Sequence, residues 1–128
     1  MSQNPPPMHP VETTAMEMPY DTAQPERAQI EALEGAVVLD FGTNWCGYCN
    51  RASPAIAAAL SGQPLVRHIK VEDGSGRPLG RSYKVRLWPT LVLLRGGREL
   101  TRLVRPDGVE SVRKALAQLV GAAADSEP

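Results

Sequence analysis

Two thiols stand two residues apart in a chain of 128 residues that holds no other cysteine. They lie in the segment Trp45-Cys46-Gly47-Tyr48-Cys49. At this spacing a helix start brings two sulfurs within bonding distance, so they can close into a disulfide and reopen. A thiol at a helix N-terminus meets unpaired backbone N–H groups and the positive end of the helix dipole, and both favour its anion. Cys46 is the expected nucleophile, attacking a substrate disulfide to form a mixed disulfide. Cys49, one turn deeper, then attacks Cys46 and releases the reduced substrate. The bland alternative is an inert disulfide or two packing thiols. No metal is expected: a zinc site takes about four ligands, and only His9 and His68 remain as soft ligands.

The elements around the thiols place them at a strand-to-helix junction. Ala36 to Phe41 is almost wholly apolar and reads as a strand covered on both faces. A helix from about Cys46 to Leu60 follows, with Pro54 inside it, expected to kink or restart it. Pro25 to Glu34 reads as a preceding helix stopped by Gly35. Leu65 to Val71 is a strand with mixed faces, and Arg77 to Tyr83 is a short helix beyond the Asp73-Gly74-Ser75-Gly76 loop. Leu91 to Leu94 and Glu99 to Val104 flank Gly96-Gly97, a hairpin signal. Asp107 and Glu110 have capping-box spacing. A helical stripe then runs through Val109, Val112, Leu116, Leu119 and Val120 to Gly121. Helices alternating with strands imply an α/β fold, a mixed sheet with helices on both faces.

Length and composition suggest one folded body, residues 25–121, between a disordered Pro-rich tail over 1–24 and a flexible C-terminal tail over 122–128. Net charge is zero, but all 14 Lys and Arg lie between Arg27 and Lys114, leaving that stretch at +6. The bases are scattered and aromatics are few, which argues for a solvated surface and against a nucleic-acid platform. No basic n-region followed by an apolar h-region appears, and no apolar run approaches the ~20 residues that cross a bilayer. The expected location is the cytoplasm, where paired cysteines are more often catalytic than structural.

These elements and motifs resemble the thioredoxin family over about Pro25 to Gly121. Four features carry the resemblance: Trp-Cys-Gly-x-Cys after the strand; an Asp-Phe pair ending that strand, with Asp40 six residues before Cys46; Pro54, five residues after Cys49; and Trp88-Pro89-Thr90 before a long apolar strand. The resemblance implies a thioredoxin fold with a central mixed sheet of four to five strands, and a cis bond before Pro89 facing the dithiol. Several residues depart from the pattern. Gly42 stands where many relatives have tryptophan, and Tyr48 replaces proline. Arg105-Pro106 stands where a glycine is frequent. A first strand is not recognisable before Pro25, although Thr13 to Met18 offers a short one.

Asp40 is an acid inside an apolar strand, and such a residue rarely stays buried without a role. It reads either as a proton-transfer partner for Cys49 or as a strand-end cap, and the resemblance favours the first. Lys70 lies near the family position for a lysine beside that acid, with His68 on the same side of the strand as its rival. Trp45, Gly47, Tyr48 and Trp88 are expected around the substrate, with Pro89 and Thr90 holding an extended segment by strand-like hydrogen bonds. The implied activity is reduction of protein disulfides by an electron carrier that needs no bound cofactor. It would act as a monomer, recharged by a partner such as a thioredoxin reductase. A disulfide oxidase or isomerase, or a binding module whose dithiol is secondary, are the alternatives.

Overall fold

A computed structural model describes residues 18–126, with side chains through Gly121. The elements are α1 (Arg27–Glu31), β1 (Ala36–Gly42), α2 (Gly47–Ser61), β2 (Arg67–Glu72), α3 (Pro78–Ser82), β3 (Thr90–Arg95), β4 (Arg98–Val104) and α4 (Val109–Ser126). The sheet order is β2-β1-β3-β4. β1 runs parallel to β2 and antiparallel to β3, and β3 is antiparallel to β4. This is a thioredoxin fold.

The sequence pattern explains each layer. The apolar residues of β1 alternate between two cores, as the period of two in a strand requires. Val37, Leu39 and Phe41 join Ile30 of α1, Leu79 of α3 and Tyr83 on one face of the sheet. Val38 joins Ile56 and Leu60 of α2 and Val112, Leu116 and Leu119 of α4 on the other. Each fully buried side chain of this size contributes about 1.5–3 kcal/mol from burial. The β3–β4 hairpin turns through Gly96 and Gly97, both with positive φ of 59° and 81°. That pair matches the backbone of the tightest hairpin turns. A Cβ on Gly97 would also collide with the Glu31 carbonyl.

Three local expectations change. α1 spans Arg27–Glu31, shorter than Pro25 to Glu34, because its chain turns at Ala32 and leaves through Gly35 at φ 79°. α2 passes through Pro54 as one helix of 15 residues and does not restart. α4 begins at Val109, so its cap position falls on Gly108, not Asp107, and Glu110 pairs with Arg113 at 2.7 Å. The capping-box hydrogen bond occurs instead in α1, where the Glu26 N–H donates to Gln29 Oε1 at 2.8 Å.

Ordered packing begins ahead of Pro25. Tyr20 is buried, and Asp21 forms a single parallel bridge to Val71 at the outer edge of β2. The Asp21 N–H donates to the Lys70 carbonyl, and the Glu72 N–H donates to the Asp21 carbonyl. The strand expected over Thr13 to Met18 lies, as far as residue 17, outside the described residues. No helix among the described residues is long and apolar enough to cross a membrane.

Candidate active site

β1 ends at Gly42, and the turn Thr43-Asn44-Trp45 delivers the chain to α2. Cys46 is the N-cap of α2, extended at φ −82° and ψ 123°, and its Sγ accepts the Cys49 N–H at 3.3 Å. An N-cap side chain normally uses oxygen to satisfy one of the orphan amides of the first turn. Here a sulfur does so. Both thiols are free. Cys46 lies at the rim, 8% exposed, and Cys49 lies beneath it, 1% exposed. Burial, and next the hydrogen bond donated to Cys46, push the Cys49 thiol up to about 12.

The rim is aromatic. Trp45 is 75% exposed and meets Trp88 edge-on, with ring centroids 5.6 Å apart. The Trp88 indole N–H donates to Asp73 Oδ2 at 2.8 Å, which fixes that ring. The Trp88–Pro89 bond is cis. The Arg105 N–H donates to the Pro89 carbonyl at 2.8 Å, and Arg105 Nε donates to the Trp88 carbonyl at 2.9 Å. Pro89 has no N–H, so one remaining lone pair on its carbonyl is what it can offer a partner. Thr90 is buried, and its hydroxyl donates to the Leu87 carbonyl at 2.6 Å. On the other flank Tyr48 lies beneath the Arg105 guanidinium at 3.7 Å, with that of Arg51 at 4.8 Å. These three side chains and Pro89 help line a cleft of about 390 Å³. Gly47 opens α2 between the thiols.

Behind the thiols, Asp40 is 1% exposed. Its Oδ1 accepts from the Tyr20 hydroxyl at 2.8 Å, and its Oδ2 lies 2.9 Å from His68 Nε2. Lys70 is the register partner of Asp40 across β1 and β2, yet its ammonium donates to the Met18 carbonyl and to Ser53 Oγ at 3.2 Å. The contact expected of Lys70 is therefore made by His68. The reason is reach: the long lysine passes over the Tyr20 ring, 4.4 Å from its centroid, while the shorter imidazole ends at the carboxylate. Tyr20 and Asp73 were invisible as site residues. Tyr20 sits in a Pro-rich stretch that reads as a tail, and its one signal was being a large aromatic there. Asp73 sits in a loop whose partner, Trp88, is 15 residues away. Among the described residues, no group of three His, Cys, Asp or Glu is arranged to hold a metal.

The whole arrangement, dithiol, buried acid and Pro-Thr segment, lies within residues 21–118, which match the family model described as thioredoxin. The chain belongs to the thioredoxin family. It is 35% identical over 85 residues to a thioredoxin of Chlamydia trachomatis, an alignment covering 66% of this chain and 82% of that protein. Thioredoxin 2 of Pseudomonas aeruginosa, solved in its reduced form, superposes with a TM-score of 0.76 at 47% identity, covering 84% of this chain and 99% of that one. A Fasciola hepatica thioredoxin structure superposes with a TM-score of 0.61 at 26% identity, covering 70% and 85%. As a thioredoxin, the chain is a thiol–disulfide oxidoreductase of a family of protein-disulfide reductases.

Proposed function

We propose that this thioredoxin reduces protein disulfides in the cytoplasm as a monomer, with Cys46 and Cys49 as its redox group and no bound cofactor. The observation that carries this reading is the position of Cys46: a rim sulfur at a helix N-cap, held by a backbone N–H, with a second thiol directly behind it. The Cys46 thiolate attacks a substrate S–S bond. A bond forms between Cys46 and one substrate sulfur, and the other leaves as thiolate. Cys49 loses its proton and attacks Cys46 Sγ. The Cys46–Cys49 bond forms, the mixed disulfide breaks, and the second substrate sulfur leaves with the electron pair. Two electrons have passed from the dithiol to the substrate. A reductase of the thioredoxin-reductase class returns them.

The cleft gives this chemistry a docking surface. Trp45 and Trp88 supply an apolar platform, Tyr48 a second edge, and Pro89 and Thr90 the floor against which an extended segment lies. Arg51 and Arg105 add positive charge to that surface, so acidic residues beside a substrate cysteine are favoured. Asp40 receives the Cys49 proton, and Lys70 shapes the field around it.

Two measurements test the reading. Cys46→Ser should abolish insulin reduction and leave the fold intact; full activity in that variant refutes the mechanism. The dithiol reduction potential should lie nearer about −270 mV than about −120 mV, the range that separates reductants from oxidants. A value at the upper end would assign the protein to disulfide formation instead.

A further inference from the structure

The resolving step has a problem of access. Cys49 must lose a proton before it attacks, and its sulfur is almost sealed from water. In the free dithiol, burial first and the hydrogen bond to Cys46 next push this thiol up to about 12, and the burial remains when Cys46 is tied to substrate. The base must therefore be inside the protein, and something must connect it to the sulfur.

The backbone of β1 makes room for that connection. At Gly42 the strand has no side chain. A Cβ built there would lie 2.5 Å from Cys49 Sγ, 2.7 Å from Tyr20 Cζ and 2.8 Å from the Tyr20 hydroxyl oxygen. The thiol and the phenol hydroxyl thus both close on the position a Gly42 side chain would take. Tyr20, Cys46 and Cys49 form one buried cluster. The same hydroxyl donates to Asp40 Oδ1 at 2.8 Å, and His68 Nε2 holds the other oxygen at 2.9 Å. Titratable groups facing this chain of contacts come from three elements: Tyr20 from the segment before α1, Cys46 and Cys49 from α2, and His68 and Lys70 from β2. Lys70 is turned onto the ring face and to Ser53.

We propose that Tyr20 is a catalytic proton relay, its hydroxyl passing the Cys49 proton to Asp40, with His68 exchanging that proton with water. The proposal rests on Cys49 being the resolving thiol. As the Cys49 S–H proton moves to the Tyr20 oxygen, the Tyr20 proton moves to Asp40 Oδ1, so the tyrosine ends as it began. Burial and the nearby Asp40 charge keep its hydroxyl protonated, which requires the two transfers to be concerted. The freed Cys49 sulfur pair forms the bond to Cys46, and the departing substrate thiolate takes its proton from water. His68, with a side chain 24% exposed, connects Asp40 to solvent.

Tyr20→Phe tests this, since it keeps the ring that fills the space beside Gly42 and deletes only the hydroxyl. The substrate thiol released from a preformed mixed disulfide is followed by stopped flow across pH. Release should slow about 100-fold near neutral pH, the lower end of what general acid–base catalysis supplies, and recover at alkaline pH. Alkylation of Cys46 should be unchanged. Adding Tyr20→Phe to Asp40→Asn should cost nothing further. Wild-type release in Tyr20→Phe, or fully additive losses, overturns the relay. In the unaltered protein, release in H₂O/D₂O mixtures should curve as two protons in flight require, and a straight line likewise overturns it. Failure of Cys49→Ser to trap any mixed disulfide would instead overturn the dithiol reading beneath it.

Discussion

The two faces of β1 are built from neighbouring residues and do opposite jobs. Towards α1 and α3 the strand presents Val37, Leu39 and Phe41, all buried in an apolar cluster. Towards α2 it presents Val38, then the acid Asp40, then the missing side chain of Gly42. Val38 belongs to the core, but Asp40 and Gly42 face Tyr20 and Cys49. One face is packing throughout; the other turns from packing to chemistry over four residues. A buried acid costs stability unless it is hydrogen-bonded, and a glycine inside a strand costs backbone entropy, so this face gives up packing that the other keeps.

The largest contrast should come from Leu39→Ala, which opens a cavity on the packing face. A loss of about 2–5 kcal/mol is expected in urea unfolding, with disulfide reduction per folded molecule unchanged. A fall in activity per folded molecule would mean the two faces are not separable. Gly42→Ala loads the other face. Its Cβ would overlap Cys49 Sγ and the Tyr20 ring, so it should cost about 1–3 kcal/mol by overpacking and slow the release of substrate as well. Stability and release rate equal to wild type would show that Cys49 and Tyr20 do not close on Gly42 as described.

The third effect is absent at neutral pH. The folded state raises the Cys49 thiol to about 12, whereas an unfolded cysteine ionises near pH ~8.5. The unfolded state therefore releases its proton first. The contribution is fully present below the unfolded value and is lost as pH rises through the folded one. Reduced wild-type protein should lose stability from about pH 9 towards 12, and Cys49→Ala should lack that part of the decline. Parallel pH profiles for the two chains would place Cys49 in a more solvated setting.

Much of this is legible in the sequence. The almost unbroken apolar run of β1, the glycine pair of the hairpin and the stripe of α4 are local signals, and each marks its element to within a few residues. The dithiol was legible because two cysteines at helical spacing need only one turn of backbone to meet. Asp40 stood out as a charge where the pattern demanded an apolar residue. The choice between His68 and Lys70 was not legible. Both have the same parity on β2, and side-chain length against a ring from another segment settles which reaches the carboxylate. Tyr20 was hidden for a related reason: Asp21 pairs with β2 through a single bridge, too short to leave a periodic pattern.

Local rules thus set the strands, the helices, the thiol spacing and the odd acid, because each depends on residues close in the chain. Assembly alone brought Tyr20 from the segment before α1, Asp40 and Gly42 from β1, Cys49 from α2 and His68 from β2 to one buried point. No spacing within the chain encodes such a meeting. It follows from how the first segment lies against β2 and how α2 packs over β1, and both are set by burial of surfaces contributed from across the molecule.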